Sequence, residues 1–428
     1  MKARQNSVRR IAIISALIIA GEAIFGLPFI VARVFRPTLL DVFGITNLQL
    51  GTAFSLYGIV AMASYFPGGP LADRFAARKL MSFALLTSAV GGVYYATIPA
   101  LKELRLLFAF WGLTTILLFW AALIKATREW GGTDSQGKAF GLLDGGRGLF
   151  AAILASVTVA IFAANLPDDT GTATLVQRTD ALRVVIWIFT GMAVVAGTIV
   201  WFCVPEGNWS TTKSAQHVSL RSVTTILRNR AVWLQGVIVV CAYTGYKGTD
   251  DFGLFSRDAL GFDDVQAASV GTLALWVRPV AALGAGLLAD RINASRAVWL
   301  CFVALIVGDL VIASGWLVPS KTWMFYVAVV STCAMVYGMR GVYFALFDEA
   351  QVPATLTGTA AGLVSVIGYT PDIFMGPLMG YLTDTFPGAL GHRYFFGTLA
   401  GFAVVGAIAT SLFQLTSVKA RNSQKTTR

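Results

Sequence analysis

Charge is what this sequence has least of. Asp, Glu, Lys and Arg make up 13% of its 428 residues, about half the share of a soluble domain, while 56% are hydrophobic and mean hydropathy is +0.70. Such a chain cannot clothe a core in a water-facing surface, which argues against a soluble enzyme. Histidine is nearly absent: His217 and His392 stand far apart and offer no metal site. Cysteine is also scarce. Cys203, Cys241, Cys301 and Cys333 fall one to an apolar run without a C-x-x-C, so they read as small buried hydrophobes. No catalytic triad, metal motif or long polar domain is visible, so neither an enzyme nor a cofactor is expected.

What fills the chain is apolar runs of membrane-spanning length, about 20 residues each. Twelve are expected, over 11–33, 48–67, 80–99, 105–126, 139–164, 181–204, 231–252, 264–288, 297–318, 322–347, 356–383 and 393–416. Runs this long span as helices, whereas barrel strands are shorter. Lys2, Arg4, Arg9 and Arg10 ahead of the first run resemble a signal-peptide n-region, but the run is too long and lacks an A-x-A-like site, so it reads as a retained helix.

Basic residues in alternate loops are unequal. One side carries Lys2, Arg4, Arg9, Arg10, Arg74, Arg78, Lys79, Lys125, Arg128, Lys138, Lys213, Arg221, Arg228, Arg230, Arg291, Arg296, Lys419, Arg421, Lys425 and Arg428. The other carries only Arg33, Arg36, Lys102, Arg105, Arg178, Arg183, Arg257, Lys321 and Arg393. Both termini are therefore expected in the cytoplasm of a bacterial cell, with the chain crossing its inner membrane repeatedly. The net charge of +11 belongs to these short loops, with no aromatic-interleaved basic surface for nucleic acid.

The chain also repeats itself. Gly69-Pro70-Leu71-Ala72-Asp73-Arg74 returns as Gly286-Leu287-Leu288-Ala289-Asp290-Arg291, 217 positions later, each after the second helix of its half. Gly137-Lys138-Ala139-Phe140-Gly141 is echoed by Gly358-Thr359-Ala360-Ala361-Gly362 at the fifth helices. The expected division is a six-helix bundle over 1–204, a polar cytoplasmic linker over 205–230, and a second bundle with a basic tail over 231–428.

The two G-x-x-A-D-R loops resemble the signature of the major facilitator superfamily. The resemblance implies an all-α membrane protein with twelve transmembrane helices in two pseudo-symmetric bundles, a monomer embedded in the lipid bilayer. It further implies that Gly69, Asp73, Arg74, Arg78, Gly286, Asp290 and Arg291 control conformation. Asp73 would face the helix start at Thr357-Gly358 and Asp290 the one at Gly137, with the arginines holding the loop to a cytoplasmic acid. Within the superfamily, Asp73 to Arg78, Trp120, Lys125, Glu129-Trp130, Pro353 and Gly368-Tyr369 resemble the organophosphate:phosphate antiporter branch and YihN-type permeases. That branch grips phosphate with one arginine on helix one and another on helix seven. Those positions fall here on Ile30 and Tyr246, with Arg33 one turn from the first and Lys247 beside the second. An anion site survives this comparison, while phosphate exchange does not follow from it.

Ionisable residues inside spans are costly and so are candidates for function. Glu22 lies too deep to snorkel, on a stripe with Gly26, Phe29 and Arg33; Tyr243, Tyr246, Lys247 and Asp250 form a second stripe on helix seven. The two stripes are expected to face one cavity. Arg278 before Pro279, Asp372 after Pro371, and Arg340 complete the binding and coupling set. Asp144 and Arg147 are spaced to neutralise each other, Lys125 can snorkel, and Asp309 lies on a helix that the resemblance makes peripheral. Trp111, Trp120, Trp276 and Tyr337 could stack on a solute or simply pack.

The function expected is secondary active transport of a small polar organic solute, anionic because interior cations gather beside aromatic rings. Protons would drive it through Glu22 first or Asp372 second. A proton-driven exporter of drugs or metabolites is the alternative, and it calls for a greasy, weakly charged cavity.

Overall fold

In the computed structural model residues 2–132, 136–206, 227–350, 352 and 357–426 are described, and nearly all are helical. Twelve long helical stretches follow in order among the described residues: α1 (2–34), α2 (Asn47–Arg74), α3 (Ala77–Tyr95), α4 (Leu101–Gly131), α5 (Gln136–Ala164), α6 (Leu175–Cys203), α7 (Arg230–Gly248), α8 (Asp264–Ile292), α9 (Ala294–Ala313), α10 (Thr322–Val342), α11 (357–385) and α12 (Ala389–Thr426). Nine spans among the described residues are long and apolar enough to cross a bilayer. Helices α3, α7 and α11 are shorter, carry charge near an end, or are interrupted.

Local chemistry accounts for many boundaries. Thr46 with Gln49, and Thr174 with Gln177, form capping boxes that start α2 and α6. Pro371 has no N–H to give and restricts the residue before it, so α11 stops at Gly368 and restarts at Pro371. Helix α7 ends at Gly248, earlier than its apolar run suggests, and a 3₁₀ turn over Thr249–Asp251 leads into a short helix, Phe252–Leu260. Two helices widen into π-helix. In α1 the π segment Gly26–Ile30 surrounds Pro28, whose missing donor the wider turn accommodates. In α4 it covers Leu113–Trp120, where the Thr115 hydroxyl donates to the Trp111 carbonyl at 2.6 Å and competes for the acceptor of an ordinary turn.

Packing follows the duplication. Helix α1 packs on α5 and α6, and α3 on α4 and α6; correspondingly α7 packs on α11 and α12, and α9 on α10 and α12. Large apolar side chains such as Phe66, Phe83, Phe202, Val280 and Leu283 are exposed, as a chain with little polar surface requires. Lipid is as apolar as leucine, so helices gain little from mutual burial and gain instead from close approach. Gly51 of α2 meets the Gly376 backbone of α11, and a Cβ on Gly380 would collide with the Leu48 backbone.

Two compact units emerge. One contains Met1–Asn208 with Asp250–Pro279 and Asp372–Gly388; the other contains Trp209–Thr249, Val280–Pro371 and Ala389–Arg428. Of the expected linker, 207–226 lie outside the described residues, including Lys213, His217 and Arg221, as does Pro353. Gly137 and Thr357 to Thr359 are described through their backbone alone.

Candidate functional site: charge buried among helices

In the first unit, α1, α5 and α8 bring four charges together. Glu22 of α1 is 5% exposed. Its Oε2 takes the Arg147 Nε–H at 3.2 Å, and Arg278 Nη1 lies 3.7 Å from its Oε1. Arg278 Nη2 in turn donates to Asp144 Oδ1 at 2.9 Å. Asp144 and Arg147 share a face of α5, as three-residue spacing requires, but the carboxylate on Arg147 Nε comes from α1. Two glycines make the room: a Cβ on Gly21 would stand 3.0 Å from Arg147 Cδ, and one on Gly148 3.3 Å from Arg278 Cδ. The Arg147 guanidinium also lies 5.5 Å from the Phe25 ring centre and 5.7 Å from that of Trp120. Two cations and two carboxylates leave the group neutral overall, which makes burial of the acid tolerable.

In the second unit the ring residues of α7 receive a cation from α10. Arg340 lies 3.8 Å from the centre of the Tyr246 ring and 5.5 Å from that of Tyr243. Tyr369 of α11 packs on Tyr243 with ring centres 4.9 Å apart, and Tyr337 packs on Tyr246 at 6.1 Å. Among the described residues no carboxylate or other acceptor takes the Arg340 N–H donors. Lys247, also on α7, is buried. Position 246 carries no cation of its own, and a cation from another helix rests on its ring. Sequence spacing gave no sign of that meeting.

A third set lies where α1 joins α2, α7 joins α8 and α11 joins α12. Arg33 and Asp250 are buried and meet at 2.5 Å, 217 positions apart. That is also the offset between the two loop motifs, but a shared offset does not by itself bring two residues into contact. Arg33 is thus engaged by an acid, and Asp250 belongs to the 3₁₀ turn beyond α7. Around them, Arg178 reaches Asp41 at 3.2 Å and Asp264 at 3.1 Å, Arg257 reaches Asp41 at 3.1 Å, and Thr38 donates to Asp264 at 2.9 Å. Arg178 and Arg257 read in the sequence only as topogenic loop charges. Asp384, at the end of α11, accepts from the backbone N–H groups of Asn47 at 3.2 Å and Leu48 at 2.7 Å. Half-buried Asp372 begins the second part of α11, its backbone against Gly58.

At the opposite end of α2 the motif residues Asp73 and Arg74, in its last turn, are exposed, as are Asp290 and Arg291 in the last turn of α8. Lys125 donates to the Ala72 carbonyl at 2.7 Å, one residue before Asp73. Arg78 and Lys79 reach Glu206 at 2.8 and 2.6 Å. The Lys79 hydrogen bond, then the charges of Lys79 and Arg78, hold the Glu206 carboxyl below the usual carboxylate range. Gly69 and Gly286 have open space where a Cβ would stand. Of the remaining sequence candidates, Trp111 is fully buried and donates to the Ser88 carbonyl, Trp276 donates to Ser156 at 2.9 Å, and Asp309 is buried in α9.

A chain of twelve long helical stretches with paired charges between them matches a known family of membrane transporters. The chain belongs to the Major Facilitator Superfamily, whose model matches residues 11–371. It is 27% identical over 407 residues to the inner membrane protein YihN of Escherichia coli, covering 93% of this chain and 94% of that one. To the inner membrane protein YqcE of the same organism it is 26% identical over 419 residues, covering 96% of each. Solved structures share the fold. A bacterial homologue of the human lysosomal transporter Spinster superposes with a TM-score of 0.73 at 15% identity, covering 96% of this chain and 98% of that one. The nucleoside transporter NupG does so with a TM-score of 0.72 at 13% identity, covering 95% and 98%.

Proposed function

We propose that this protein carries a small polar organic anion across the bacterial inner membrane by alternating access, as a monomer, with the proton gradient as its driving force. The observation that carries the reading is Arg340: a guanidinium held face-on to Tyr246 and near Tyr243, with its donors uncommitted among the described residues. The rings orient the cation and leave its N–H fork for an anion, while nearby phenol hydroxyls suit a polar solute. The inner-membrane location is supported by the relatives YihN and YqcE, both inner membrane proteins. Glu22 is the proton carrier in this reading, because it is a deep carboxylate whose arginine partners make its charge state matter. Lys247, buried one residue from Tyr246, adds positive charge to the solute region.

A thermal-shift screen of the purified protein against sugar acids, sulfonates, carboxylates, sugar phosphates and cationic drugs tests the class of solute, since a ligand that prefers the native state raises its melting temperature. An anion should emerge, and Arg340→Met should weaken it by about 2–3 kcal/mol, roughly 30- to 150-fold, the worth of hydrogen bonds to a charged group. Stabilisation by cationic drugs alone, unchanged in Arg340→Met, would point to an exporter of drugs and refute the reading.

A further inference from the structure

We infer that Arg147 and Arg278 are a carboxylate-binding site and that Glu22 is its built-in occupant, displaced when an organic carboxylate enters. The inference rests on the anionic-solute reading above and narrows the solute to a carboxylate.

The geometry of the occupant comes first. Each oxygen of Glu22 faces a different arginine, Oε2 toward Arg147 Nε at 3.2 Å and Oε1 toward Arg278 Nη1 at 3.7 Å. A planar carboxylate bridging two guanidinium groups is the arrangement that an incoming carboxylate would adopt. The second contact is longer than a hydrogen bond, so the bridge is only half closed.

Each arginine also has an anchor apart from Glu22. Arg147 rests against Phe25 and Trp120, and Arg278 is held by Asp144 at 2.9 Å. Removing the Glu22 carboxylate therefore leaves two positioned cations, so the cost of arranging the site is already met by the fold. Gly21 and Gly148 keep the arginine stems free of side-chain crowding.

Charge counting then ties solute to proton. Among the described residues Glu22 meets Arg147 from α5 and Arg278 from α8, and Arg278 meets Asp144 from α5; α4 faces Gly21 with Leu123, and α6 faces Gly26 with Phe189. Counted by themselves, these two arginines and two carboxylates balance. A second carboxylate on the arginines leaves one negative charge in excess in a desolvated place, unless Glu22 takes a proton as it leaves them. One proton accordingly accompanies each carboxylate inward and is returned when Glu22 regains the arginines. The Asp144 side chain, 56% exposed, gives the group its accessible edge.

Chemical rescue in the purified protein tests this without knowledge of the natural solute. Glu22→Ala is melted with sodium acetate, and with sodium phosphate and sodium chloride at matched ionic strength. Saturating acetate should raise the melting temperature of Glu22→Ala by about 3 °C or more and leave the wild type within error; phosphate and chloride should do less. Glu22→Ala/Arg147→Gln should lose the response. If Glu22→Ala does not fold, Glu22→Gln keeps the shape and should show the same acetate preference, because its amide cannot balance two arginines. Equal shifts in wild type and variants, no shift in any, or a larger shift with phosphate each overturn the inference. The readout involves no transport, so it stands apart from the Arg340→Met solute screen: either can fail while the other succeeds.

Discussion

Arg33 and Asp250 show what a single residue does in this chain. Both are buried, and they meet at 2.5 Å. Arg33→Ala should destabilise the protein by about 3–5 kcal/mol, because it takes its 2.5 Å partner from a buried carboxylate, and Arg33→Ala/Asp250→Ala should recover much of that loss. Melting temperatures of the three proteins give the answer, and a double variant no better than Arg33→Ala would deny that the pair acts as a pair. Glu22 was legible as a candidate from depth alone, since a short acid in mid-helix has no route to the interface. Its partners were not legible: Arg147 and Arg278 lie 125 and 256 positions away, and spacing on one helix pairs Arg147 with Asp144 just as well.

At the scale of helices, α2 and α11 touch at the end where α1 joins α2. Their glycines let the backbones touch, and Asp384 adds a carboxylate at the α2 N-terminus, where two backbone donors and the helix dipole favour negative charge. Asp384→Asn should weaken that contact by about 1 kcal/mol, and Gly380→Leu should pry the helices apart through contact with the Leu48 backbone. Both should increase labelling of cysteines introduced beside Asp41 and Arg257, measured as the rate of modification in membranes. Asp73→Asn, at the other end of α2, should shift the population the opposite way, toward the inward-open state, and lower that rate. Rates unmoved in all three variants would remove these acids from conformational control. Boundaries such as the capping boxes at Thr46 and Thr174 can be read from four residues, because the interactions that make them are local. The π segments could not be placed so directly: Pro28 hints at one, but the threonines of α4 occur in ordinary helices too.

For the whole molecule, the imbalance of basic residues between loops predicts that both termini face the cytoplasm. Reporter fusions at Arg428 active only in the cytoplasm would meet that expectation, and periplasmic activity would reverse the topology. The sequence by itself determined the class of protein. Apolar runs of bilayer length, scarce charge and a loop motif repeated 217 positions apart establish a duplicated helical membrane protein, since hydropathy and local spacing are properties of the chain read in order. Only the tertiary structure decided which charges answer one another: Glu22 with Arg147 and Arg278, Arg340 on Tyr246, Arg33 with Asp250, Asp384 with the start of α2. The physical reason is that a buried charge is satisfied by whatever lies within a few ångströms, and those neighbours come from helices far apart in the chain, brought side by side by backbone packing that the order of the chain does not encode one residue at a time.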